Sequence, residues 1–114
     1  MRISMPRGDI RLVRFTVNNP DKTLTDIEFT EIYFTVKRSC NDVGCLFQKR
    51  LSTGGIIKLG QGDYQIKIEP QDTRSMTYGK YKFDIELKCT TELKETFVGD
   101  FELTEEVTFP ENEE

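Results

Sequence analysis

Three features of the 114-residue sequence predict an all-β fold of about seven or eight short antiparallel strands, a β-sandwich in preference to a small barrel, and a motif over residues 79–83 sharpens this to an immunoglobulin-like β-sandwich. Apolar and polar residues alternate with period 2 along most of the chain. Clusters of Gly, Asn, Asp and Pro cut that alternation into short, regularly spaced runs. No segment carries a 3.6-residue apolar stripe long enough for a core helix. Runs that bury one face are what two packed sheets require.

The first run, Arg11 to Val17, places Val13, Phe15 and Val17 on one face, and Asn18-Asn19-Pro20-Asp21 ends it. Glu31 to Lys37 turns Ile32, Phe34 and Val36 inward and Glu31, Tyr33, Thr35 and Lys37 outward. Arg38 to Gly44 reads as a loop, and Cys45 to Leu51 as the next strand, with Cys45, Phe47 and Leu51 on one side. Ser52-Thr53-Gly54-Gly55 turns into the short strand Ile56 to Leu59, and Gly60-Gln61-Gly62-Asp63 turns again. Asp63 to Ile68 aligns Tyr64, Ile66 and Ile68. Glu69 to Met76 is irregular or one helical turn starting near Pro70. Lys80 to Lys88 alternates most strictly, with Tyr81, Phe83, Ile85 and Leu87 inward. Thr90 to Leu93 turns the chain into Glu95–Leu103, where Gly99-Asp100 suggests a bulge or bend. Glu105 to Phe109 extends an edge. The expected organisation is a flexible basic arm over 1–7, one sandwich over 8–109 and an acidic tail over 110–114.

Composition narrows the chemistry. Histidine is absent, which removes Ser-His and Cys-His pairs, histidine metal ligands and any side chain that titrates unperturbed near neutrality. Eight Phe and four Tyr supply large buried area to a chain only 36% apolar. No apolar run approaches the roughly 18 residues of a membrane span, and the N-terminal residues lack a signal-peptide apolar region. The expectation is a soluble, non-enzymatic binding or structural module made in the cytoplasm, with no cofactor, nucleic-acid or membrane partner. Its net charge is −4. Residues 1–57 carry nine bases against six acids, and residues 58–114 seven against fourteen. The polarity concentrates at the ends: Arg2, Arg7, Arg11 and Arg14 at the front, and five Glu, beginning with Glu105 and Glu106, in the last ten residues. Such polarity aligns copies head to tail or steers a charged partner.

Other candidate sites reduce to ordinary structure. Cys40, Cys45 and Cys89 lack the number and spacing of a zinc site. A Cys40–Cys45 hairpin disulfide is conceivable, but the odd count favours reduced thiols, some of them small core residues. Asp84 and Glu86 alternate with Lys82 and Lys88, the pattern of a solvated, ion-paired face rather than of a carboxylate pair in a cleft. Neither glycine run carries the Lys-Ser/Thr of a phosphate loop. Tyr33, Tyr64 and Tyr78 are candidates for an aromatic surface of a carbohydrate- or protein-binding module, the alternative function.

Gly79-Lys80-Tyr81-Lys82-Phe83 matches the start of an immunoglobulin F strand. There a tyrosine hydroxyl bonds back to upstream backbone, the tyrosine corner. Tyr81 fits that role, and Phe83 takes the place where antibodies put a core cysteine. The chain also holds, in order, Gly8-Asp9, Phe15-Thr16-Val17, Ile32-Tyr33-Phe34-Thr35-Val36-Lys37, Gly79 to Ile85, Gly99-Asp100-Phe101 and Val107-Thr108. This ordered set resembles the N-terminal immunoglobulin-like domain of phage baseplate upper proteins and related free-standing prophage proteins, across roughly residues 8–108. The resemblance implies a tail- or baseplate-associated virion module whose partners are other phage structural proteins, with homo-oligomerisation through strand edges. Residues 10–17 and 95–103 are the expected contact edges. The 114 residues depart from that pattern in offering no counterpart of a distal receptor-binding region, so a stand-alone adaptor, or a partner supplied by another gene product, is the expectation.

Overall fold

The computed structural model describes residues 1–18, 21–25, 28–38, 46–89 and 93–105, and gives residues 93–95 as backbone only. Its first element is one that the alternation pattern does not announce. Arg2–Pro6 (β1) is a strand, with Ile3 and Met5 buried in the core. The free arm expected over residues 1–7 is therefore corrected: two apolar residues at i and i+2 are enough to hold it in the sheet, paired with β8. Seven further strands follow: Arg11–Thr16 (β2), Glu31–Lys37 (β3), Phe47–Arg50 (β4), Ile56–Gly60 (β5), Asp63–Ile68 (β6), Gly79–Lys88 (β7) and Leu93–Thr104 (β8). A single turn of helix, Pro70–Thr73 (α1), separates β6 from β7. Pro70 opens it, and the Asp72 carboxylate accepts from the Glu69 amide at 2.7 Å.

The strands form two sheets. The larger is ordered β1-β8-β7-β3-β4 and the smaller β2-β6-β5. All pairings are antiparallel except β1 with β8, which run parallel from opposite ends of the sequence. The chain is thus all-β in two layers. The inward residues are those the alternation selects. Ile32, Phe34 and Val36 of β3, Phe83, Ile85 and Leu87 of β7, and Tyr64, Ile66 and Ile68 of β6 are all buried. Phe34 packs on Phe83 with ring centroids 5.3 Å apart, and Phe47 of β4 bridges Phe34 and Phe101. Each such side chain contributes about 1.5–3 kcal/mol by leaving water.

Two positions on β7 and β8 fix how the large sheet closes. Gly79 opens β7 with φ 141°, backbone that favours glycine. Gly99 does not bulge. Its neighbours pair in step, Lys82 with Asp100 and Asp84 with Val98, and the irregularity lies instead between Leu87 and Lys88. Glycine is required at 99 because a Cβ would lie 2.5 Å from the Phe83 ring and 2.5 Å from the Met1 carbonyl oxygen. The side-chain slot is filled by an aromatic from the next strand.

The connection through α1 is tied down from both sides. The Gly8 amide donates to Thr73 Oγ1 at 2.8 Å, and Arg7 donates to the Met76 carbonyl while lying 4.3 Å over the Tyr78 ring. From the opposite flank, Lys49 of β4 pairs with Asp72 at 2.6 Å, both side chains largely buried. Cys40, Cys45 and the tail over 106–114 fall outside the described residues; Cys89 is half-buried and packed against the core.

Candidate interaction surface

The residues singled out from the sequence are spread over several surfaces. Arg2 lies on the outer face of the large sheet, ion-paired with Glu102. Arg11 is exposed at the start of β2. Arg14 grips Asp63 through two contacts, 2.9 and 2.5 Å, which hold the Asp63 carboxyl below the usual aspartate range. Glu105 is exposed, and Glu106 is outside the described residues. Of the three candidates for an aromatic surface, Tyr33, Tyr64 and Tyr78, it is Tyr64 that is corrected, while Tyr78 is exposed. Tyr64 is 1% exposed and stacks on Phe15 between the sheets, because its inward period outweighs its hydroxyl. Tyr33 is half-buried on the outer face of β3 with Arg50 5.2 Å over its ring, and Tyr78 lies beneath Arg7.

Tyr81 is buried at the start of β7. Its hydroxyl donates to the Thr77 carbonyl at 2.7 Å and lies 3.0 Å from the Thr77 hydroxyl. The polar tip of a core aromatic thus pins the chain four residues upstream. Phe83 sits two residues along on the same inward face.

Strand edges are the second feature. Among the described residues β2 pairs only with β6, so its other edge has no partner strand. The expectation for 95–103 needs correction, because β1 covers β8 from Asp100 to Thr104. Among the described residues, the first half of the strand has no partner on that side. The Asp100 amide donates to the Met1 carbonyl, so by the two-residue repeat the N–H and C=O groups of Val98 and Thr96 point to the same side, beyond the end of β1. Phe97 is 42% exposed and Val98 58% exposed. Together with Met1, Phe15, Thr16 and Ile85 they line a largely apolar cleft of about 200 Å³. Among the described residues, the unpaired edges of β8 and β2 thus flank one groove.

Charge is the third feature. The outer face of the large sheet carries Lys80, Lys82, Asp84 and Glu86 from β7, between Asp100 and Glu102 of β8 and Lys37 and Tyr33 of β3. Lys82 pairs with Asp100 and holds its carboxyl below the usual range. Asp84 is different. It lies between Thr35 and Val98, and its Oδ1 is buried with no hydrogen-bond partner among the described residues. Desolvation pushes its carboxyl upward, and Lys37 only partly opposes this. Among the described residues no cluster of three or more His, Cys, Asp or Glu is placed to hold a metal, and no helix is long and apolar enough to cross a membrane.

No protein-family model matches the sequence, and no curated protein matches it. The reading of its role therefore rests on the motif order and on the surfaces just described.

Proposed function

We propose that the chain is an immunoglobulin-type β-sandwich serving as a non-enzymatic structural or assembly module of a phage particle, at its tail or baseplate, through protein–protein contacts. The sandwich type is supported by strand order. β1-β8-β7-β3-β4 over β2-β6-β5 corresponds to the immunoglobulin sheets A′-G-F-C-C′ and B-E-D, with the first strand parallel to the last. The Tyr81–Thr77 hydrogen bond has the form of a tyrosine corner at the head of strand F. The phage assignment follows from the ordered motifs from Gly8-Asp9 to Val107-Thr108.

One observation carries the contact mechanism: the groove where the open edge of Thr96–Gly99 meets the open edge of β2 over apolar side chains. An extended segment of a partner laid there would gain backbone hydrogen bonds from Thr96 and Val98 and seat a side chain against Phe15 and Phe97. Prophage induction in the source strain, followed by purification of particles and mass spectrometry, tests the role. The chain is expected in intact particles, and Val98→Pro, which removes the outward N–H without touching the β7 ladder, should abolish its incorporation. A chain that stays in the soluble fraction while particles assemble without it would refute the reading.

A further inference from the structure

The outer face of the large sheet ends in a basic cleft. Arg2, Arg38, Lys80 and Lys82 line about 330 Å³ together with Asp100, Glu102 and parts of Tyr81 and Phe101. Lys37 stands directly opposite Lys82 in the β3–β7 ladder. Like charges in direct register destabilise a sheet, so this pair is a cost that the fold carries. With Asp84 counted, five bases face three acids here, in a chain whose net charge is −4. The two acids of the cleft are engaged with Arg2 and Lys82. Among the described residues no ion pair joins Arg38 or Lys80 to an acid. The existing pairs are solvent-exposed and worth little, so incoming carboxylates can exchange with them at small cost.

We propose that this cleft binds a run of carboxylates, and that the run is the Glu-rich segment 105–114 of a second copy, joining copies head to tail. Charge complementarity selects the occupant: the last ten residues hold five Glu and no base. Strand direction selects the second copy. β8 crosses the cleft from Asp100 to Glu102 and is past it at Thr104, where it pairs with Pro6. A segment that continued in the direction of β8 would lead away from its own cleft, which favours the cleft of a neighbour. Such a joint is heterologous, so it closes into a ring or extends as a fibre, and repetition along the assembly compensates for a weak single contact. The inference rests on the reading of the chain as a protein-contact module.

Sedimentation velocity on the full chain tests it. At an ionic strength of about 0.02 M the average mass should rise with concentration, and at about 0.5 M it should return to the monomer. Two variants separate the halves: Arg38→Glu with Lys80→Glu, and Glu→Gln at 105, 106, 111, 113 and 114. Each alone should stay monomeric with an unchanged circular dichroism spectrum. An equimolar mixture should form a dimer and stop there, because each variant keeps one half of the joint. A labelled peptide of residues 105–114 should bind the five-Gln variant, and the double charge reversal introduced into that protein should weaken it at least about tenfold. A monomeric wild-type chain at low salt, a mixture that does not associate, or variants that associate as the wild type does would each overturn the proposal. Peptide binding by an otherwise monomeric chain would overturn it too, in favour of closure within one copy. A monomer that is still incorporated into particles would sink the head-to-tail joint alone and leave the assembly role standing.

Discussion

Replacing Gly99 with alanine should destabilise the domain by about 1–3 kcal/mol, the cost of overpacking a well-filled interior. The added Cβ would sit 2.5 Å from Phe83 Cζ, 2.6 Å from Phe83 Cε2 and 2.5 Å from the Met1 carbonyl oxygen. Ordinary contact needs roughly 3.5 Å, so about 1 Å of movement is required on two sides at once. The ring is 2% exposed and packed on Phe34, and the carbonyl accepts from the Asp100 amide where β1 joins β8, so neither side gives freely. With an unfolding entropy of roughly 2.1 cal/mol/K per residue, each 1 kcal/mol lowers Tm by about 4 °C in a chain of this length. Thermal denaturation followed by circular dichroism should therefore show a drop of about 4–12 °C. The cause is checked by a double-mutant cycle. Phe83→Leu alone is destabilising, but in its background Gly99→Ala should cost at least about 0.5 kcal/mol less, because the atoms it strikes are gone. A Gly99→Ala protein within about 1 °C of wild type, or a cycle showing pure additivity, would refute the close-approach account and restore the bulge.

Tyr81→Phe should cost about 1 kcal/mol in urea denaturation, for the lost bond to the Thr77 carbonyl, with the slope of the transition unchanged. Lys49→Met should cost about 3 kcal/mol, since it leaves the Asp72 carboxylate largely buried and without its cation; Lys49→Met with Asp72→Leu should recover part of that loss. Asp63 and Asp100 have depressed carboxyls in the folded state, so their contribution is present above about pH 4 and is lost as pH falls through their folded values. Asp63→Asn should shrink that acid-side loss of Tm. Asp84 works in the opposite sense. Its raised carboxyl means the folded state holds the proton more tightly, so stability falls as pH rises from the ordinary aspartate value through the folded one. Asp84→Asn should remove that decline and raise Tm at neutral pH, measured by scanning fluorimetry from pH 3 to 8.

The strands that were legible are those whose pattern is long and whose neighbours lie on both sides. β7 has four inward residues and is flanked by β3 and β8, so alternation alone reveals it. β1 was hidden for two reasons. Only Ile3 and Met5 mark it, and its partner is at the other end of the chain, in a parallel pairing that leaves no local trace. Gly99 was read as a bulge because a glycine in a strand signals either a bulge or a close approach, and the deciding atom belongs to Phe83, sixteen residues earlier. Tyr81 was legible because its partner Thr77 is only four residues away. The Lys49–Asp72 pair was not, since nothing in either neighbourhood reports that β4 and α1 meet.

The charge split shows the same limit in another form. Along the sequence the front is basic and the rear acidic, which suggests two separate ends. Folding lays the acidic rear beside the basic front, because β8 is inserted between β1 and β7. Arg2 meets Glu102, Arg14 meets Asp63 and Lys49 meets Asp72, so part of the linear asymmetry is neutralised on folding. Among the described residues, the bases that no ion pair reaches include Arg38 just past the end of β3 and Lys80 at the start of β7, and the sequence after β8 remains rich in Glu. If the linear split itself governed association, neutralising Arg2 would weaken it as strongly as neutralising Arg38. If the residual charges govern it, Lys80 and Arg38 carry the larger effect, since an exposed base already paired with an acid on its own sheet has little attraction left to offer a second one.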